Sequence, residues 1–475
     1  MINNYEMVIG LEVHVELKTE SKIFCSCSTA FGTEPNTQVC PVCMGFPGTL
    51  PVLNEKVVEL AAKVGLATNC KIANFSKNDR KNYFYPDLPK AYQISQFDHP
   101  LCEGGYLNIE TESGKKRIGI TRIHIEEDAG KLIHDPEKGT MIDGNRCGVP
   151  LIEIVSEPDI RSAEEAKAYL QKLRTVILYT GASDCKMNEG SLRCDVNLSV
   201  RKIGETKLGV RTEMKNLNSF QFIGKAIEYE YKRQVEAIER GEKIIQETRR
   251  FDANSGKTYS MRTKENMSDY RYFPEPDLLP IELSDSWIEE LNKTIPMLPD
   301  ERKEMYTEKY NLSAYDGEVL TSDMAMADYF EVAASKTKHP KLVANMLQSE
   351  IMAMTETDGF ACNISPSHMA ALADMAGSET INSATVKKLI KRMWENDFDP
   401  VEAVEKENLA QVNDEAVILS WVKAAIELNP KSVADYKKGK KTAAKAIIGK
   451  AMAVSAGKAN PILVQKLVES ELDKI

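Results

Sequence analysis

The residues best suited to chemistry lie in four short segments that alternate strictly between polar and apolar side chains. In Gly10–Leu17, Glu12, His14 and Glu16 alternate with Leu11, Val13, Val15 and Leu17. In Arg122–Asp128, Arg122, His124 and Glu126 alternate with Ile123 and Ile125. In Arg193–Arg201, Arg193, Asp195, Asn197, Ser199 and Arg201 alternate with Cys194, Val196, Leu198 and Val200; in Val210–Lys215, Arg211, Glu213 and Lys215 alternate with Val210, Thr212 and Met214. Side chains on a strand point to opposite faces in turn. Each segment therefore offers an apolar face to a core and a second face carrying carboxylate, imidazole and guanidinium. The plain alternative is a solvated sheet face, but acids and bases recurring at strand centres favour a site. Mg²⁺ takes oxygen ligands and bridges phosphates. Glu12, Glu126 or Glu127, Asp195 and Glu213 can supply oxygens, and His14 a nitrogen. Arg122, Arg193 and Arg211 can compensate phosphate charge in a phosphoryl-transfer transition state.

A second constellation is Cys25-x-Cys27 and Cys40-x-x-Cys43, two close pairs with twelve residues between them. The spacing matches a tetrahedral Cys₄ zinc site, and four thiolates close the coordination sphere, so the expected role is structural. The other six cysteines are scattered and read as small buried apolar groups. Gly256-Lys257-Thr258 lacks the earlier glycine of a phosphate-binding loop, since position 251 is Phe251. No dinucleotide fingerprint, nucleophile elbow or glutaminase-type cysteine is present.

The elements that must hold these residues read as strand-rich α+β up to about residue 290. Helices interrupt the strands at 162–180, where Ser162 and Glu165 form a capping-box pattern, and at 219–240. Pro274, Pro276, Pro280, Pro296 and Pro299 exclude one regular element there and mark a boundary. Helical periodicity follows at 300–310, 323–336, 341–355, 366–376, 383–395 and 414–428, with a weaker boundary near 400–412. The expected division is 1–292, 293–406 and 407–475. Length supports two or three domains: 475 residues exceed one ordinary core. There is no run of eighteen apolar residues and no apolar leader, which predicts a cytoplasmic protein with no membrane partner. The net charge of −10 argues against nucleic-acid binding by the whole surface. It conceals a basic stretch, however. Between 431 and 458 stand eight lysines against the single acid Asp435, a net of +7.

Several long segments resemble one family. VIGLEVHVEL, KNYFYPDLPKAYQISQ, RIHIEEDAGK, NRCGVPLIEIVSEPD, MNEGSLRCDVNLSVR and RTEMKNLNSF are similar to blocks of the B subunits of tRNA-dependent amidotransferases, and the C-terminal stretch resembles that family's helical tail. The resemblance implies an N-terminal cradle domain related to glutamine synthetase and guanidino kinases, with an antiparallel sheet, followed by all-α helical and tail domains. It implies a ligase that phosphorylates the side-chain carboxylate of Glu-tRNA(Gln) or Asp-tRNA(Asn) with ATP and amidates the acyl phosphate. The ammonia would be released from glutamine by an amidase A subunit and channelled to this site, with a small C subunit completing a heterotrimer. ATP, Mg²⁺ and structural Zn²⁺ are the implied cofactors. Carried over by position, Glu12, His14 and Glu127 are the implied Mg²⁺ set, with Glu126, Asp195 and Glu213 as further candidates from the strand pattern. On simple alternation Glu127 falls on the apolar face, so a bulge or strand end would have to turn it, and the choice between Glu126 and Glu127 stays open. The loop Lys81–Asp87, with Tyr83, Phe84 and Tyr85, either receives a terminal adenosine or packs internally. In the tail, Lys437, Lys438, Lys440, Lys441, Lys445, Lys450 and Lys458 read as a phosphate-contacting surface for tRNA, where the alternative is a solvated helix face. Two other functions fit parts of the pattern: a free-standing ligase of small carboxylates, against which the basic tail counts, and a tRNA-binding scaffold, against which the acids and histidine of the sheet count.

Overall fold

The computed structural model describes residues 4–263, 270–355 and 359–474. The chain divides into two compact units, Met1–Leu298 and Pro299–Ile475, and its architecture is α+β.

The first unit is built on a nine-stranded sheet. In chain order its strands are β1 (Tyr5–Glu16), β2 (Lys71–Ile72), β3 (Cys102–Thr111), β4 (Gly114–Glu127), β5 (Pro150–Ser156), β6 (Leu192–Lys202), β7 (Thr212–Lys215), β8 (Glu247–Asp252) and β9 (Lys257–Thr263). Across the sheet they run β9-β8-β7-β6-β1-β5-β4-β3-β2. The expected antiparallel sheet differs at one place: β7 and β8 pair in parallel. The cause is the connection. A helix of twenty residues, Phe220–Glu239, joins them, and a crossover of that length returns the chain in the same direction, whereas tight hairpins reverse it. Gly256-Lys257-Thr258 falls in the turn between β8 and β9 and at the start of β9, with Gly256 at φ +66°, so its glycine serves a hairpin.

Three helices, α1 (Glu55–Ala67), α2 (Ala163–Thr180) and α3 (Phe220–Glu239), share the unit's core with the sheet. They bury the apolar members of the alternating strands: Ile9, Leu11, Val13, Val15, Ile123, Ile125, Val196, Leu198 and Met214 are each at most 1% exposed. The two helices read from the sequence form with the expected starts. Ser162 accepts from the Glu165 N–H at 3.0 Å, and Ser219 from the Phe222 N–H at 3.1 Å. The reciprocal leg of the capping box differs: the Glu165 carboxylate accepts from the Arg161 N–H, one residue before the cap. Leu291, in the short helix Asp285–Asn292, still belongs to this core.

The second unit is helical. Its elements include Pro299–Tyr310, Met324–Ala334, Pro340–Met346, Pro366–Gly377, Ser383–Glu395 and Glu415–Glu427. One hydrophobic cluster spans Tyr306 to Val404 and another Ile418 to Leu472. They are stitched by Gln411 N–H to Thr380 O at 2.7 Å and by the Asn382 amide to Gly457 O at 2.9 Å. Among the described residues, no helix is long and apolar enough to cross a membrane.

Candidate functional site

Strand register decides which polar residues meet. On β1, His14 stands opposite Arg193 of β6 on one side and Glu153 of β5 on the other, and Glu153 stands opposite His124 of β4. One step along, Glu12 stands opposite Asp195, and Glu213 of β7 opposite Asn197. Directly opposed and diagonal side chains on one face lie within contact reach. The alternation read from the sequence therefore assembles two donor sets. In the first, His14 Nε2 lies 3.3 Å from Glu153 and 3.6 Å from Glu126, and His124 Nε2 lies 3.8 and 3.7 Å from the same carboxylates. In the second are Glu12, Asp195 and Glu213. Within His14–Glu126–Glu153, and within Glu12–Asp195–Glu213, one ligand atom per residue can be chosen so that all lie within 4.8 Å of one another.

The implied set of Glu12, His14 and Glu127 is not brought together. Strand β4 runs through Glu127 without turning it, and alternation sends its carboxylate to the opposite face. There it pairs with Lys90 and accepts from the Ile94 N–H at 2.9 Å. Glu126 lies on the same face as His14, 3.6 Å from its Nε2. Glu12 and His14 share that face but belong to different sets. Arg193 contributes to the site by pairing with Asp128, and Arg122 by lying 4.0 Å from Glu153. Arg211 does not: it precedes β7 and is exposed.

Glu153 lies in the segment NRCGVPLIEIVSEPD that carries the resemblance, but the sequence assigns it no role in the site. Its strand, Pro150–Ser156, looks apolar on both faces, and the signal was the single acid at its centre. Asp128 and Arg146 likewise receive no role in the site from the sequence, and Lys81, read there only as part of the loop Lys81–Asp87, lies at the cavity. Arg146 donates to the Ala129 and Gly130 carbonyls at 2.9 and 2.8 Å and lies 3.6 Å from Asp128. His14, Glu126, Asp128, Lys81, Arg193, Asp195 and Lys215 all line one cavity of about 380 Å³. Tyr83 packs edge-on to Tyr270 and also lines it, whereas Phe84 and Tyr85 are 83% and 53% exposed.

Charge in this site is tightly shared. Burial disfavours a charged His14, but its hydrogen bond to Glu153 and the charges of Glu153, Glu126 and Asp195 outweigh burial and raise its pKa to about 9. Burial likewise works against Glu153, yet His124 and His14 hold it well below the usual carboxylate range. Lys81 is held charged, against burial, by Glu126 and Glu153. Two carboxylates with an imidazole, and beside them three carboxylates, are donor sets that fit hard divalent cations. The second set is held in place by its neighbours: Asn197 donates to Glu12 at 2.9 Å and Thr248 to Glu213 at 2.8 Å.

The four cysteines of the knuckle converge as expected, each offering sulfur within 4.8 Å of the others. Cys43 is pulled down to about 4 by its bond with Cys25, with the Cys40 N–H and Lys22 helping. Lys22 is fully buried, and its ammonium lies 3.6 Å from Cys43 Sγ. A buried cation beside converging thiols suits the excess negative charge of a Cys₄ zinc centre. All ten cysteines are free thiols.

The comparisons with known proteins agree with this geometry. The family profile described as the GatB/GatE catalytic domain matches residues 7–289, and the one described as the GatB domain matches 328–472. The B subunit of the aspartyl/glutamyl-tRNA(Asn/Gln) amidotransferase of Caldicellulosiruptor saccharolyticus is 56% identical over 99% of this chain and 100% of its own length. The proteins of the same name from Caldanaerobacter subterraneus and Carboxydothermus hydrogenoformans are 55% and 50% identical, over 99% and 100% of this chain and the whole of their own lengths. With both profiles matched in order and similarity running end to end, this chain belongs to the family of aspartyl/glutamyl-tRNA(Asn/Gln) amidotransferase B subunits.

Proposed function

We propose that this chain is the carboxylate-activating subunit of a glutamine-dependent ligase that forms Gln-tRNA(Gln) from Glu-tRNA(Gln), Asn-tRNA(Asn) from Asp-tRNA(Asn), or both. The observation that carries this reading is the juxtaposition of two divalent-cation donor sets and several fixed cations around one cavity on the sheet. That equipment suits phosphoryl transfer, which needs positioning and charge compensation more than a protein nucleophile. We place the first unit with the glutamine synthetase and guanidino kinase cradle. We divide the chain at 1–292, 293–406 and 407–475, the last segment contacting tRNA. An amidase A subunit and a small C subunit complete the heterotrimer.

His14, Glu126 and Glu153 would hold one Mg²⁺, and Glu12, Asp195 and Glu213 a second cation. When bound, these ions neutralise phosphate oxygens of ATP and orient its terminal phosphoryl group. Arg193 and Lys81, both facing the cavity, meet the charge that spreads over that group during transfer. Arg122, packed against His124 at 3.3 Å, keeps the imidazole oriented toward Glu153. The side-chain carboxylate of the aminoacyl-tRNA attacks the terminal phosphorus, and ADP departs. Ammonia then attacks the activated carbonyl carbon, phosphate leaves with the bonding electrons, and the nitrogen gives up a proton. Activation is needed because a carboxylate is a poor acyl electrophile, whereas phosphate is a competent leaving group. Water must be kept from the acyl phosphate, and a cavity walled by Tyr83, Leu151, Met187 and Leu217 suits that need.

The reading is tested by ATP cleavage in the heterotrimer. Cleavage is expected to rise when mischarged tRNA is added and to remain low with correctly charged tRNA or with free glutamate. Stimulation by free glutamate alone would identify a small-carboxylate ligase. No tRNA-stimulated cleavage at all would identify a scaffold.

The tail supports the RNA part of the reading. Lys437, Lys438, Lys440, Lys441, Lys445 and Lys450 are all exposed, while Lys458 is half-buried. Lys437 closes the helix Pro430–Lys437, and the next three follow directly, ahead of the helix Ala444–Val454. Replacing Lys437, Lys438, Lys440 and Lys441 by Ala is expected to weaken tRNA binding. It should also flatten the dependence of log affinity on log salt by about 0.7–0.9 for each phosphate contact removed. A filter-binding series over salt concentration measures it, and an unchanged slope removes the tail from the RNA contact surface.

A further inference from the structure

The two donor sets differ in where their compensating positive charge comes from. The first set contains its own imidazole, His14. The second contains three carboxylates and no base, and a lysine from the same sheet meets two of them. Lys215 lies two residues beyond Glu213 on β7 and so on the same face. Its ammonium pairs with Asp195 across the sheet and lies 3.7 Å from Glu213. The other two carboxylates are already fixed from the side, Glu12 by Asn197 and Glu213 by Thr248. Asp195 is the member that carries the lysine. Lys215 also lines the cavity with Lys81 and Arg193. A lysine stem has four rotatable carbons and its ammonium is a point charge, so it can change partners without moving the strand.

We propose that Lys215 is an internal cation that occupies the Glu12–Asp195–Glu213 set in the nucleotide-free protein, yields Asp195 to an entering divalent cation, and turns into the cavity to meet the phosphates of the nucleotide. Three carboxylates with the lysine in place carry −2; a divalent ion added beside the ammonium meets its repulsion at close range. Once phosphate oxygens arrive, the lysine has an alternative partner and the exchange becomes favourable. The second cation would thus load with the nucleotide and not before it, whereas the first set can load alone. Lys215 is then a positioning residue for the cation and a direct contact of the nucleotide. The inference rests on the proposed reading of the two sets as cation sites.

The test uses Mn²⁺ as the probe, titrated into the intact heterotrimer and followed by electron paramagnetic resonance, first alone and then with ADP. Wild type is expected to bind one Mn²⁺ tightly and to acquire a second only with ADP. Lys215→Met is expected to bind the second Mn²⁺ without ADP, at least about 10-fold tighter than wild type does, and to bind ADP more weakly. Lys215→Gln should behave in the same way, which guards against a fold defect in one variant. A second Mn²⁺ bound no tighter in either variant than in wild type overturns the role of Lys215. Glu153→Gln separates the two levels of the argument: it should lose the first Mn²⁺ and keep the effect of Lys215. If wild type binds no Mn²⁺ that depends on Glu153, the reading of the site falls as well.

Discussion

Glu153→Gln is expected to lower tRNA-dependent amide formation by about 10²–10³-fold, while glutamine hydrolysis by the partner amidase continues. The substitution keeps the shape of the side chain and removes one charge. That charge is the centre of the first donor set: His14 lies at 3.3 Å, His124 at 3.8 Å and Arg122 at 4.0 Å. A neutral amide in its place takes a nearby acid from two imidazoles and a guanidinium, and it removes a hard anionic ligand from the cation. Loss of affinity for Mn²⁺ by at least about 10²-fold should accompany the loss of rate, since even outer partners of metal ligands are worth 10- to 100-fold. Glu127→Gln is the informative control. Its carboxylate faces away from the set, toward Lys90 and the Ile94 N–H, so Mn²⁺ affinity should be unchanged. If Glu127→Gln weakens Mn²⁺ binding and Glu153→Gln does not, the set is centred on the wrong acid.

That contrast also shows how far alternation carries a sequence reading. On β1, the run Glu12-Val13-His14-Val15 displays both faces in four residues, and the face it assigns is the one the structure uses. The same rule, applied without exception to β4, places Glu126 beside His14 and Glu127 on the other face, because no bulge interrupts the strand between His124 and Glu127. Register is different in kind. It depends on which strands become neighbours and at what offset, and nothing in Pro150–Ser156 announces that its one acid will face His14 of a strand more than a hundred residues earlier. Arg211 illustrates a third limit. The alternation of Val210–Lys215 suggests a strand of six, but pairing starts only at Thr212, so Arg211 stays outside the sheet. The crossover through α3 escaped in the same way: an alternating pattern does not record whether the next strand runs parallel or antiparallel. The knuckle was more legible, because four thiols within nineteen residues can meet through local turns alone, without any decision about topology.

Freshly purified protein is expected to hold one zinc per chain, and Cys43→Ser to lose it and to destabilise the first unit by about 5 kcal/mol, a fraction of what structural zinc supplies to a small zinc-finger peptide. For a domain of this size that corresponds to a melting temperature lower by about 10 °C. The knuckle is more than a surface loop. Asn36 donates to Ile142 O at 2.9 Å and accepts from the Gly144 N–H at 2.7 Å, and the Gln38 N–H donates to Asn145 at 2.8 Å. Lys22 joins Gln38 O, Gly144 O and Cys43. The strap 142–149 is therefore held on one side by the knuckle. On its other side, Gly148 N–H donates to Asp128 O at 2.9 Å, and Arg146 reaches the Asp128 carboxylate that pairs with Arg193 in the cavity. Without the metal, Lys22 is left beside a broken thiolate set, a buried charge with a weakened partner, and the strap loses the element that fixes it. Amide exchange should then accelerate in 25–49 and 142–149 and leave β1 and β6 protected. Metal analysis, thermal melts and exchange together decide the matter. A protein that holds well under one zinc per chain, and in which Cys43→Ser melts with wild type, has a knuckle held by its hydrogen bonds alone.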